Sequence, residues 1–198
     1  HAGAGRVFVG LLDPSATPVD TAQPELMLRD ANELDLSNMT AVCGCGGGTD
    51  VRAVLPRVLA TAAALVLDAD ALNAIATDSA LQTQLASRAR RGRPTVITPH
   101  PLEAARLLGC TVGDVQADRL AAARQLASRF GVVAVLKGSG TAIADDPMLT
   151  ARDCDLCEVH TGEADGLTWT EYASRFGNFD MAAEPDRVFA PSGDSWNS

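Results

Sequence analysis

Residues 1–144 alternate short apolar runs with helical patterns, and that alternation restricts the fold more than any other feature. Arg6–Leu12, Met39–Cys43, Ala64–Leu67, Thr95–Thr98 and Val132–Leu136 read as strands. Asp50–Ala63 sets Val51, Val54, Leu55, Val58 and Leu59 at helical spacing, and Asp78–Arg91, Pro101–Leu108 and Val115–Phe130 read as further helices. Strands alternating with helices imply βαβ units, hence an α/β fold with a largely parallel sheet and helices on both faces. Ligands of open α/β sheets bind beyond the carboxyl ends of the strands. The turns that follow each apolar run are therefore the places to look for chemistry. Gly109 is expected to end its helix. Arg88, Arg90 and Arg91 are expected to complement the negative end of theirs. Thr141–Ala144 is expected to pair with the preceding strand across a tight Gly-Ser-Gly turn.

The 198 residues, 46% of them apolar, suffice for one domain with a real core. No apolar run approaches a membrane span, and the first residues do not resemble a signal peptide. A start at His1 directly before a strand suggests a chain that begins within its fold. Charge is unevenly spread. Residues 1–144 hold 13 acidic and 13 basic side chains, whereas 145–198 hold 12 and 3, which accounts for the net charge of −9. Six of the eight aromatic residues also fall in that last segment. Beyond Asp145 the strand and helix patterns fail, except for a short amphipathic stretch over 167–179. The segment 145–198 is expected to be an atypical, poorly ordered acidic tail that packs poorly on the body. Five cysteines, an odd number, argue against a disulfide framework and for a reducing, cytoplasmic compartment. Cys154, Cys157 and His160 form half a zinc motif with no second pair, so no metal centre is expected. Neither nucleic acid nor membrane is expected as a partner.

Four constellations carry chemistry. Cys43-Gly44-Cys45-Gly46-Gly47-Gly48-Thr49-Asp50 lies between a strand and a helix, where glycines let backbone N–H groups approach a phosphate. It matches neither the dinucleotide fingerprint nor a Walker A loop. Val66-Leu67-Asp68-Ala69-Asp70-Ala71-Leu72-Asn73 brings two carboxylates to a strand end. They can hold Mg²⁺ through water or orient a ribose or phosphate, and Asp70 is read as the cap of the next helix. Thr98-Pro99-His100-Pro101-Leu102-Glu103 pins His100 between two prolines, with Pro101 at a first helical position. Leu136-Lys137-Gly138-Ser139-Gly140-Thr141 offers a cation, flexible N–H groups and hydroxyls, which is a phosphate-binding set. Its Lys137 is the only lysine among sixteen basic residues.

Together, in this order, the four motifs resemble those of the ADP-dependent NAD(P)H-hydrate dehydratases of the ribokinase-like fold. The family's Gly-Pro-Gly-x-Gly loop is matched by Gly44–Gly48 with cysteine in place of proline. Its Asp-Ala-Asp-x-Leu-Asn is met by Asp68–Asn73, its Thr-Pro-His-Pro-x-Glu by Thr98–Glu103, and its Leu-Lys-Gly-x-x-Thr by Leu136–Thr141. The resemblance covers residues 1–144 and implies a ribokinase-like domain incomplete at both ends. It implies a lyase of metabolite repair that dehydrates hydrated NADH or NADPH with ADP as phosphoryl donor and Mg²⁺ as cofactor. Gly46 and His100 would contact the hydrated nucleotide, and Lys137, Gly138, Ser139, Gly140 and Thr141 would cradle ADP or AMP. Gly44, Gly48, Asp68, Asn73 and Glu103 would support them. A homo-oligomer, and an epimerase partner either fused or separate, are also implied.

One family motif is missing. A Gly-x-Gly-Asp turn opening a helix supplies the base that deprotonates the substrate hydroxyl, and its glycine N–H groups form an anion hole. Ser192-Gly193-Asp194 echoes it, but only four residues follow, so Asp194 is not taken as the base. The break near Asp145 fits a reading-frame change or a truncated or spliced product. The expected outcome is a catalytically impaired dehydratase. The alternatives are a vitamin-precursor kinase of the same fold and a non-catalytic nucleotide-binding remnant.

Overall fold

The apolar stripe Val51, Val54, Leu55, Val58 and Leu59 forms the buried face of an 11-residue helix, as its spacing predicts. The computed structural model describes residues 6–13, 15–16, 19–138, 140–145, 150–153 and 169–177. The chain divides into two compact units, residues 1–95 and 96–198. The class is α/β, and three of the five strand pairs described below are parallel.

In the first unit β1 (Phe8–Leu11) runs parallel to β2 (Met27–Asp30), with Phe8 opposite Met27 and Leu11 opposite Asp30. β3 (Thr40–Cys43) leads through a 3-10 turn at Gly48–Asp50 into α1 (Val51–Thr61). The chain returns as β4 (Ala64–Leu67), parallel to β3, so that Cys43 and Leu67 end the two strands side by side. α2 (Ala69–Ala76) and α3 (Ser79–Arg90) follow and pack with α1. Leu55, Leu59, Leu65, Leu67, Leu72 and Ile75 are at most 1% exposed. Each such side chain stabilises the core by about 1.5–3 kcal/mol relative to exposure.

Arg88 departs from its expected role at the helix end. Its side chain is fully buried, while Arg90 and Arg91 stay exposed. Nε donates to Thr95 Oγ1 at 2.7 Å, Nη1 to the Leu59 carbonyl at 2.8 Å and Nη2 to the Ala62 carbonyl at 3.0 Å. The planar fork thus ties the end of α1 to the start of the next strand. Burial, with Arg93 and Arg91 nearby, pushes the guanidinium below its ordinary value. It remains charged, because no protein environment deprotonates arginine at neutral pH.

The second unit takes up β5 (Thr95–Ile97) at the boundary and continues with α4 (Pro101–Leu108), α5 (Val112–Ala117) and α6 (Arg119–Phe130). β6 (Val133–Leu136), β7 (Thr141–Ala144), β8 (Thr150–Asp153) and α7 (Trp169–Phe176) complete it. β6 runs parallel to β5, with Ile97 opposite Ala134. β7 turns back antiparallel on β6, as expected, and β8 adds antiparallel to β7. α6 covers β6 and β7 with Ala122, Ala123, Leu126, Ala127 and Phe130 against Ala134, Leu136, Ala142 and Ala144. Small residues on both surfaces allow the helix to sit close to the sheet.

Three local features differ from expectation. The helix predicted over 115–130 is two helices, split at Asp118 (φ −146°), whose carboxylate accepts the Ala121 N–H at 2.9 Å and caps α6. β2 has no counterpart in the sequence reading. β8 falls where the sequence shows no strand pattern. Its four residues add to β7 through backbone pairing and do not need an apolar period. α7 falls inside the predicted amphipathic stretch and buries Tyr172. The half zinc motif and Ser192–Asp194 lie outside the described residues.

Candidate functional site

The glycine loop and the Asp68 turn are one structure. Gly44 has φ +123°, and a Cβ there would lie 1.9 Å from the Asp68 carbonyl oxygen, so the close approach admits only glycine. The Asp68 N–H donates to the Cys43 carbonyl at 3.1 Å. The Gly48 N–H donates to Asp70 Oδ2 at 2.8 Å, and the Cys45 thiol points at Asp68 Oδ2 from 3.9 Å. Asp68, not Asp70, is the N-cap of α2 and accepts the Ala69 N–H at 2.8 Å. The reading of Asp70 as the cap is therefore corrected. Its first-turn position aims the carboxylate across at the loop, where it accepts a backbone N–H that a bare turn would leave unmet. Ala69 has φ +46°, a left-handed conformation that L residues avoid, and it is held at the join of cap and helix. Asn73 lies three residues beyond Asp70 on the same helix face.

In the second unit the Thr-Pro-His-Pro turn and the lysine turn are likewise joined, since the Lys137 N–H donates to the Pro99 carbonyl at 2.9 Å. Both follow the carboxyl ends of a parallel strand pair, β5 and β6. His100 is the N-cap of α4 with Pro101 at the first helical position, and its Nδ1 accepts the Leu102 N–H at 3.2 Å. That bond makes Nδ1 an acceptor, which leaves the neutral ring's proton on Nε2, 3.4 Å from Glu103 Oε1. Glu103 Oε2 accepts the His100 backbone N–H at 2.9 Å and closes a reciprocal capping box. The imidazole is 41% exposed and the carboxylate 3%. Glu103 is thus a buried brace that orients an accessible ring. Gly109 closes α4 in the left-handed conformation at φ +73°, as expected.

The lysine turn carries Gly138 at φ +127°, beyond the reach of ordinary L residues, and Gly140 at φ +69°, in the left-handed region that favours glycine. Thr141 is buried and its hydroxyl lies 3.4 Å from the Gly138 carbonyl. Ser139 lies outside the described residues. Arg119, at the start of α6, donates through Nη2 to the carbonyls of Leu136 and Lys137 at 3.2 and 3.0 Å. The sequence reading missed this side chain, because nothing local marks an arginine whose partners lie 17 and 18 residues downstream. Asp70's contact with the glycine loop was missed for the same reason.

Among the described residues no three His, Cys, Asp or Glu side chains gather as a metal cluster. A Mg²⁺ ion carried on nucleotide phosphates needs only one or two carboxylates besides phosphate and water. The donor set at the Asp68–Asp70 turn fits that mode. Cys43, Cys45 and Cys110 are all free thiols.

Comparison with known proteins identifies the family. The family model for NAD(P)H-hydrate dehydratase matches residues 1–168. The ADP-dependent (S)-NAD(P)H-hydrate dehydratase of Neisseria meningitidis serogroup B is 40% identical over 151 residues, 73% of this chain and 50% of the relative. The bifunctional NAD(P)H-hydrate repair enzyme Nnr of Escherichia coli K12 is 40% identical over 157 residues, 74% of this chain and 28% of the relative. The solved structure of YxkO from Bacillus subtilis, of the UPF0031 family, superposes with a TM-score of 0.50 at 26% identity, over 67% of this chain and 48% of that one. The chain thus spans half or less of the length of these relatives. With the family match covering most of its residues, the chain belongs to the NAD(P)H-hydrate dehydratase family.

Proposed function

We propose that this chain carries the substrate and nucleotide motifs of an ADP-dependent dehydratase that repairs hydrated NADH and NADPH. In this reading ADP phosphorylates the hydroxyl on the hydrated nicotinamide ring. Loss of phosphate then restores the dihydropyridine, with AMP as the second product. Gly46 and His100 contact the hydrated nucleotide. Lys137, Gly138, Ser139, Gly140 and Thr141 cradle ADP. Gly44 and Gly48 shape their loop, Asp68 and Asn73 support it, and Glu103 braces His100. Mg²⁺, for which Asp68 would be a water-mediated carboxylate ligand, would neutralise phosphate charge. We place the four motifs in a body of residues 1–144 and treat 145–198 as an atypical acidic segment. The working compartment is the cytoplasm, where free thiols persist. The working form is a homo-oligomer accompanied by an epimerase.

The observation that carries the reading is the Lys137 N–H to Pro99 O bond. It sets the cation and glycines of one motif beside the proline-framed histidine of another. A lysine ammonium, positive-φ glycines and an exposed imidazole on adjoining turns suit a phosphorylated ligand. The family's Gly-x-Gly-Asp base has no counterpart in the body, so binding is proposed without efficient turnover. Calorimetric titration with ADP and AMP tests the site: weak binding is expected, and Lys137→Ala should weaken it by about tenfold, the loss of one charge-assisted contact. Equal affinity in the variant would overturn the assignment.

A further inference from the structure

Arg119 stands in none of the four motifs, and its place in α6 is unfavourable for a cation. It is the first residue of the helix, next to the capping Asp118, at the positive end of the helix dipole. Its side chain turns away from the helix toward the lysine turn. Nη1 is steadied by Gln116 Oε1 at 2.9 Å, and Nη2 donates to two successive carbonyls, those of Leu136 and Lys137. We propose that Arg119 is a positioning residue for the phosphate-binding turn, presetting the backbone that receives the phosphates of a nucleoside diphosphate. The proposal rests on the reading of Lys137–Thr141 as the ADP cradle.

Peptide geometry supplies the reason. In a trans peptide the C=O and N–H point to opposite sides of one plane. The Leu136–Lys137 peptide has its C=O on Arg119 and its N–H on the Pro99 carbonyl, so the plane is held from both edges. The next peptide has the Lys137 C=O on the same guanidinium, which turns the Gly138 N–H away from Arg119. Gly138 itself fits the arrangement in two ways. Its φ of +127° excludes other residues, and a Cβ would lie 3.1 Å from both Nη atoms. The glycine therefore leaves the space that the guanidinium fills. An ammonium group on a lysine stem cannot reproduce the planar fork that spans Gln116 and both carbonyls.

The test combines amide hydrogen exchange on the ligand-free full chain with ADP titration, for wild type, Arg119→Met, Arg119→Lys and Lys137→Ala. Arg119→Met is expected to speed exchange across 137–141 by about tenfold or more and to weaken ADP binding by a similar factor, with exchange in α4 unchanged. Arg119→Lys should restore neither. Lys137→Ala should weaken ADP binding without loosening the turn. Unchanged exchange over 137–141 in Arg119→Met, or exchange that rises evenly through residues 96–144, would overturn the positioning role. A wild-type chain that does not bind ADP, with Arg119→Met still loosening the turn, would overturn the nucleotide reading and leave Arg119 as the residue that shapes the turn.

Discussion

Gly44 and Gly46 sit two residues apart in one loop, both at positive φ, yet they meet different constraints. At Gly44 a side chain would overlap the Asp68 carbonyl at 1.9 Å, whereas at Gly46 nothing lies within 4 Å of an added Cβ. Gly44→Ala combines overlap with strain and should cost about 3 kcal/mol, while Gly46→Ala meets the conformational term alone, about 1 kcal/mol. Urea denaturation of the two variants measures both losses, and equal losses would contradict the close approach at Gly44. Cys43, one residue before this loop, gives a pH signature. Burial pushes its thiol from 9.0 up to about 11, with Cys45 adding to the shift. Between those values the unfolded chain has released a proton that the native state still holds. The stability Cys43 contributes is therefore complete below pH 9 and is lost as pH rises through 11. Denaturation midpoints from pH 8 to 11 should fall more steeply for the wild type than for Cys43→Ala. Parallel curves would refute the shift.

At the scale of elements, legibility followed side-chain pattern. β4 and α4 occupy the residues read for them, since a buried run flanked by turn residues and a proline-opened, glycine-closed helix carry their own boundaries. The split of α5 from α6 depends on whether Asp118 spends its carboxylate on a cap, and an apolar period that runs through both helices does not record that choice. β8 was illegible because its partner, not its own composition, makes it a strand: Thr150 pairs with Ala144 and Asp153 with Thr141. A direct consequence can be measured. A chain ended at Asp145 loses β8 and opens the outer edge of β7, a template for self-association. It should be about 1–2 kcal/mol less stable than the full chain and elute as larger species, because four strand residues lose their cross-strand partners. Identical elution and stability would show that β8 contributes nothing to the sheet. The site divides along the same line. Residues in turns with chemical signatures, His100, Lys137 and the glycines, stand out in the sequence, but Arg119 and Asp70 act through backbone groups far along the chain.

For the molecule as a whole, the decisive contrast is between a neutral body and an acidic end. The body carries four motifs in order, and the family match runs past it to residue 168. All the net charge lies in 145–198, and that segment holds no Gly-x-Gly-Asp. Phosphoryl transfer to a hydroxyl requires positioning, charge neutralisation and a group to accept the proton. On the proposed reading, a chain without base and anion hole should run the reaction slower by roughly 10⁴-fold or more even where both ligands still bind. Incubating the full chain with hydrated NADH, ADP and Mg²⁺ is therefore expected to release no measurable phosphate. A version extended with a Gly-x-Gly-Asp segment in place of residues 146–198 should release it. Asp194→Ala should leave both ADP binding and the absence of turnover as they are. Phosphate release from the unaltered chain would refute the missing base. Its loss in Asp194→Ala would then identify Ser192-Gly193-Asp194 as the catalytic turn, and the acidic segment as part of the working enzyme.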